Sequence, residues 1–193
     1  ATSDETARVQ ASADDGANWQ DLYSQSGNGS RETTFTGHAL SLSAYAGQTV
    51  RLRFNYDFQG GGYYSGGSPL GWFITDVLLT NTQALINQTT NTSSLTNIVL
   101  GDLTDSANNG LANFTLTPPP YYYAVTNPPV GTEAHCFHLT HLDAASQLLQ
   151  LNEVLLPSVN SSLSFASQMG FATSYETGRV QVSTNGGASW DDL

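Results

Sequence analysis

The chain has 193 residues and a formal net charge of −11, with sixteen acidic residues, five arginines and no lysine. This acidity disfavours contact with nucleic acid or with anionic membrane surfaces, and no apolar run reaches the ~18 residues that membrane insertion needs. The single cysteine, Cys136, excludes an internal disulfide.

The first predicted element is a strand–turn–strand unit over residues 1–22, and residues 172–193 repeat it. The two stretches align without a gap at an offset of 171 residues, and 14 of 22 positions are identical. Chance does not produce such a match, so the sequence predicts a tandem repeat.

Within the repeated unit, alternating residues of the second copy are predicted to face the same side of a strand. These residues are Gly178, Val180 and Val182. Turns are expected at 185–187 and at the equivalent 14–16, where Gly, Asn and Asp tolerate positive φ. Trp190 and Trp19 follow these turns and are predicted to enter the core.

The clearest strand runs from Gln48 to Phe58, where apolar residues alternate with polar ones. Alternation with period two predicts one buried face and one wet face. The glycine-rich stretch 59–69 is predicted to be a loop, and 71–79 the last strand of a module.

Two later stretches are also predicted to be strands. Residues 144–156 fit helical spacing about as well as a strand, and the all-β character of the rest favours the strand. Residues 163–169 alternate clearly. Their shared face carries Leu163, Phe165, Ser167 and Met169.

We therefore predict an all-β fold, a two-sheet antiparallel β-sandwich of jelly-roll type, present as permuted parts of tandem 171-residue repeats. Residues 1–82 would form the C-terminal part of one module, 83–97 a polar Asn/Thr/Ser linker, and 98–193 the N-terminal part of the next. The parts belong either to one long chain or to strand-exchanged protomers. In both cases an isolated chain is expected to have broken sheets with exposed edges.

One cluster has the chemistry of transition-metal ligands: His135, Cys136, His138 and His141. On an extended strand His135 and His141 point one way, and Cys136 and His138 the other. A tetrahedral site cannot easily collect all four, so they are read as ordinary strand residues.

Calcium is the one cofactor considered, and Asp57, Asp76 and Glu176 are its candidate ligands. Calcium takes six to eight oxygen ligands, but no spaced loop signature is present. Further acidic candidates are Asp14, Asp15 and Glu5. The carboxylates either hold one structural calcium ion or are solvated turn residues.

Carbohydrate contact is predicted at Tyr63, Tyr64 and Trp72, which lie in or beside the glycine-rich loop. The tyrosine run at 121–123 is a second aromatic group. These rings would either stack on sugars or pack module against module.

Five N-x-S/T sequons favour a glycosylated exterior. They begin at Asn28, Asn87, Asn91, Asn113 and Asn160. No nucleophile elbow of the G-x-S-x-G type and no cleft motif with paired carboxylates is recognisable, so no catalytic residue is predicted.

Two stretches resemble MAM-like, concanavalin-like jelly-roll modules of secreted bacterial proteins. They are RVQVSTNGGASWDDL at 179–193, preceded by SLSF at 162–165, and LSLSAYAGQTVRLRF at 40–54, followed by GWFITDV at 71–77. Such modules occur in immune-inhibitor-A type metalloproteases and in tandem-repeat surface proteins. The resemblance covers 135–193 and 1–82, in swapped order.

The resemblance implies a two-sheet jelly roll that serves adhesion, carbohydrate contact or spacing and is not itself catalytic. Thr75 stands where the family usually has the first of two acidic residues, which weakens any cation site carried over from it.

From these observations we expect a non-catalytic structural module of an extracellular tandem-repeat fibre, stalk or adhesin, located outside the cell or at its surface. Its partners would be neighbouring copies of the same module. The alternative is a carbohydrate-binding accessory module of a secreted enzyme, with a polysaccharide as its partner.

Overall fold

A computed structural model describes residues 8–11, 20–58, 70–86, 96–98, 102–117, 124–128, 131, 133–140, 146–171, 176–184 and 188–192. Besides one short 3₁₀ turn at Ser43–Tyr45, the regular elements of these residues are strands. The strands are β1 (Arg8–Ala11), β2 (Gln20–Ser26), β3 (Thr36–Ser41), β4 (Arg51–Phe58), β5 (Trp72–Ile86), β6 (Thr96–Ile98), β7 (Leu103–Asp105), β8 (Phe114–Thr117), β9 (Val125–Thr126), β10 (Cys136–Leu139), β11 (Gln147–Leu151), β12 (Val154–Met169), β13 (Glu176–Ser183) and β14 (Asp191–Asp192).

The strands form two sheets. Sheet A has the order β1-β2-β13-β4-β11-β8, with β14 beside β13, and sheet B has the order β3-β12-β5-β10-β9, with β6 and β7 beside β5. Among the described strands every pairing is antiparallel except that of β1 with β13, which is parallel. The predicted all-β, two-sheet antiparallel sandwich is confirmed.

The core lies between the sheets and is built from the alternating faces of their strands. Leu52, Phe54 and Tyr56 of β4 are buried from sheet A, and Leu163 and Phe165 of β12 are buried from sheet B. Phe54 contacts Phe165 edge to face, with ring centroids 5.2 Å apart. Aromatic pairs in this geometry stabilise by about 0.5–1.5 kcal/mol beyond their area burial, so the ring contacts hold the sheets in one alignment.

The ambiguous stretch at 144–156 is extended where it is described. Residues 147, 149 and 151 of β11 are buried and the residues between them are less so, which is the pattern of a strand. Leu149 is directly opposite Phe54 in the neighbouring β4. The strand prediction is confirmed for β11 and for the start of β12.

Strands from both predicted module parts are interleaved in both sheets. From residues 1–82, β4 pairs with β13 and β3 pairs with β12, whose residues lie in 98–193. The expectation of broken sheets in an isolated chain is therefore wrong for the described strands, because the two parts complete each other. Of the predicted linker, residues 83–86 belong to β5 and residues 96 and 97 to β6.

No helix in the described ranges is long and apolar enough to cross a membrane.

Gly71, the residue immediately before β5, offers a test of the packing between β5 and β10. Its φ is 106°, and a Cβ there would overlap the carbonyl oxygen of Leu139. We expect Gly71→Ala to lower the free energy of unfolding by more than about 1 kcal/mol, measured by urea denaturation, because both backbone and packing oppose the methyl group. Gly37→Ala, in β3 with open space around it, is the matched control. Equal effects of the two substitutions would contradict the packing described.

Candidate functional site at the repeat junction

The repeated sequence corresponds to a repeated structure. The first copy forms the hairpin β1–β2 and the second copy the hairpin β13–β14. The backbone pairs of one hairpin reappear in the other, shifted by the offset of the sequence repeat. The equivalent pairs are Gln10–Asp21 with Gln181–Asp192, and Ala11–Gln20 with Val182–Asp191. The turn residues predicted at 14–16 and 185–187, together with Trp19, lie outside the described residues.

The second copy lies inside sheet A, between β2 and β4, a place that we call the central position. Its β13 pairs with β4 on one side, and on the other its Arg179 is opposite Ser24 of β2. Arg8 of the first copy is also opposite Ser24. Both copies therefore fit the same register on β2, a strand that begins within the first copy and continues beyond it.

The inner face of β13 packs tightly against sheet B. Val180 and Val182 are fully buried, and the indole of Trp72 lies directly over Gly178. A Cβ at position 178 would come within 2.7 Å of Trp72 Cδ2 and 2.9 Å of its Cε3. The backbone of β13 thus lies as close to β5 as a glycine allows.

The outer face of β13 is polar and is tied to β4. Arg179 Nη2 lies 2.9 Å from Asp57 Oδ2, and Ser146 donates a hydrogen bond to the other oxygen of Asp57 at 2.5 Å. Arg53 donates to Gln181 Oε1. Because the Arg179–Asp57 pair is partly exposed, it is expected to add only about 0.2–1 kcal/mol.

Trp190 lies on this outer side, and not in the core as predicted. The Arg53 guanidinium carbon is 4.3 Å from the centroid of the Trp190 ring. This cation–π contact keeps the indole partly exposed on the outer face, because an arginine remains solvated on the wet side of the strand.

The strands of the two repeat copies and the adjoining β4 also hold most of the positive charge of this acidic chain. Four of the five arginines lie on β1, β4 and β13. They are Arg8, Arg51, Arg53 and Arg179. The alternation of β4 predicted Arg51 and Arg53 on one solvent-facing side. It did not predict that this side adjoins the repeat copies, because alternation along one strand does not reveal which strands pair.

The candidate calcium ligands are not gathered at one point. Asp57 already accepts from Arg179 and Ser146 on sheet A, whereas Asp76 is exposed on sheet B. Of Glu176 only the backbone is described, opposite Phe58. Among the described residues no group of three or more His, Cys, Asp or Glu side chains could hold a metal ion. Asp57 and Asp76 therefore do not share one site, and the structural calcium ion stays a prediction.

The His/Cys cluster is divided by the strand. His138 is 5% exposed, stacks on Phe73 with centroids 4.2 Å apart, and donates from Nε2 to the carbonyl oxygen of Leu70 at 2.5 Å. His135 instead donates to Asn108. Cys136 is buried, and burial raises the pKa of its thiol to about 12. His141 lies outside the described residues.

The predicted sugar contacts are only partly described. Trp72 is fully buried and packs edge to face on Phe54 and Phe165, an arrangement that argues against a sugar-stacking role for its ring. Tyr63, Tyr64 and the tyrosines at 121–123 lie outside the described residues.

The sequons differ in accessibility. Asn28 and Asn160 are exposed, whereas the amide of Asn113 donates to Asp105 at 2.9 Å in a partly buried site. Attachment of a glycan at Asn113 would disturb this bond, so Asn28 and Asn160 are the better placed acceptors. Asn87 and Asn91 lie outside the described residues.

A polar cluster that the sequence analysis missed joins β2, β3 and β12. His38 Nε2 lies 3.1 Å from Ser167 Oγ and 3.3 Å from the Tyr23 hydroxyl, and burial raises the pKa of Tyr23 to about 12. Ser167 is only 1% exposed, whereas Tyr23 and His38 are partly buried, so the cluster runs from the interior toward the surface. The alternation of β12 had placed Ser167 among core residues, but His38 is 129 positions away and no local pattern linked them.

Comparison with family models, with curated proteins and with solved structures finds no match to this chain. The resemblance to MAM-like modules stays a prediction.

His138 gives the fold a predictable pH dependence. Burial lowers its pKa, so below about pH 6.5 the unfolded chain binds a proton that the folded chain resists. The free energy of unfolding should be constant above that pH and then fall, by at most about 1.4 kcal/mol per pH unit for this group. Half-buried His38, whose pKa burial also lowers, acts in the same direction.

The measurement is urea denaturation at about pH 7.5 and about pH 5. His138→Gln should reduce the difference between the two conditions, whereas His135→Gln, on the more exposed side of the same segment, should retain it. An undiminished difference in the His138 variant would assign the pH dependence to other groups.

Proposed function

We propose that this chain is a structural repeat module of an extracellular tandem-repeat fibre, stalk or adhesin, without catalytic function. The observation that supports this most is the pairing of β2 with β13. Strand β2, which begins within the first copy of the repeat and continues beyond it, pairs with the second copy in the register that the 171-residue offset requires.

This pairing matters because it makes neighbouring repeats interchangeable. Arg179 is opposite Ser24, just as Arg8 is, so a strand from one repeat serves the sheet of the next. A lone binding module has no use for a second copy of its own hairpin. A polymer of modules needs such a junction at every repeat.

The surface composition suits an exposed polymer. Charged residues are only 11% of the chain, and the outer face of β8 carries Thr115 and Thr117, both exposed. Such a surface forms hydrogen bonds with water while its net negative charge keeps copies apart except at specific contacts.

Electron microscopy of native material tests the proposal. We expect filaments or stalks with a regular axial repeat of one sandwich, on the order of 50 Å or less, given about 3.3 Å per strand residue. Material that stays a monodisperse monomer at every concentration, with no filament in native preparations, would contradict the fibre.

A carbohydrate-binding accessory module is the second candidate, and the partly exposed Trp190 stacked on Arg53 favours it. If it holds, titration calorimetry should detect micromolar binding to a polysaccharide that is lost in Tyr63→Ala, Tyr64→Ala or Trp190→Ala. Phe171→Ala, which removes an exposed aromatic ring beyond the end of β12, is the matched control. No binding across a broad glycan panel would remove this candidate.

A further inference from the structure

Strands β1 and β13 carry two versions of one repeated sequence. The four residues that β13 turns to the outer face are identical in the first copy. These pairs are Thr177 and Thr6, Arg179 and Arg8, Gln181 and Gln10, and Ser183 and Ser12. Of the four alternating positions between them, Glu176 and Val180 match Glu5 and Val9, whereas Gly178 and Val182 correspond to Ala7 and Ala11. Within β13 the differences are therefore confined to the face that meets the core.

The first difference is glycine against alanine. Gly178 lies under the Trp72 ring, and the equivalent residue of the first copy is Ala7. A methyl group there would approach Trp72 Cδ2 to 2.7 Å, far inside van der Waals contact. Since Trp72 is fully buried among other rings, it cannot move away without disturbing the core.

The second difference is valine against alanine. Val182 is fully buried, and its counterpart is Ala11, which lacks two methyl groups. In the central position the first copy would therefore clash at one end and leave a cavity at the other. In sheet A the first copy supplies the outermost strand, β1, and only β13 lies between β2 and β4.

We propose that the central position is a strand-exchange site whose partner is another molecule of this chain, which contributes its segment 172–193. Gly178 and Val182 make the site select this segment over the segment 1–22. The inference rests on the proposed tandem-module function and deepens it. In the structure the chain's own β13 fills the central position and β1 lies at the rim, so exchange replaces β13 by the identical strand of a neighbouring chain. Exchange then proceeds head to tail.

Peptide capture by the full-length chain tests the selectivity. The chain is refolded from urea with an excess of fluorescent peptide, and the captured peptide is measured by size-exclusion chromatography. The 172–193 peptide should be captured at least about tenfold more than the 1–22 peptide, a difference of about 1.4 kcal/mol. The 1–22 peptide carrying Ala7→Gly and Ala11→Val should match the 172–193 peptide. Equal capture of all three peptides, or no capture by refolded chains, would overturn the proposal.

A second measurement requires no refolding and no peptide. In the full chain Gly178→Ala should lower the urea midpoint, and adding Ala7→Gly with Ala11→Val should restore it, because the repaired first copy then occupies the central position. If the triple variant is no more stable, or folds no better, than Gly178→Ala alone, the copies are not interchangeable and the proposal fails. Selective capture without filaments in native material would instead refute the fibre and leave the exchange site intact.

Discussion

The contact between the Trp72 ring and the backbone of Gly178 is the constraint on which the sandwich depends. Trp72 begins β5 in sheet B, and Gly178 lies in β13 of sheet A, so this contact sets the distance between the sheets at the repeat junction. The ring is also surrounded by Phe54 and Phe165. A strand can enter the sheet beneath it only if it carries no side chain at that point. One residue thereby decides which copy of a repeated sequence belongs to the core.

Local patterns predicted the strands well because period-two alternation reports directly on burial. The alternating residues of β4 and β12 are buried as expected, and in β13 Val180 and Val182 face the core. The prediction from alternation was wrong for a side chain that can pack both in the core and at the surface. Trp190 has an apolar ring, yet it stacks on Arg53 outside the core, since a cation over its face compensates for incomplete burial.

Pairing between strands could not be predicted in the same way. The 171-residue offset predicted permuted parts of a tandem repeat, but not that these parts close on each other. That outcome depends on contacts between residues more than a hundred positions apart, such as β3 with β12 and β4 with β13. For the same reason, Asp57 and Asp76 were grouped as candidate calcium ligands only because both are acidic residues. The two carboxylates lie on different sheets, a separation that no spacing along the chain reveals.

The difference between the two copies is best understood as a difference between two environments for one strand. On the outer face of β13 the two sequences agree, and in the second copy these side chains form the Arg179–Asp57 pair and the Arg53–Gln181 bond. On the inner face only one copy must fit beneath Trp72 and fill the space at Val182. If the two copies were under the same constraints, their differences would not separate by strand face in this way. Differences confined to the face that contacts the core indicate that position in the sheet, and not pairing along its edge, separates the two copies.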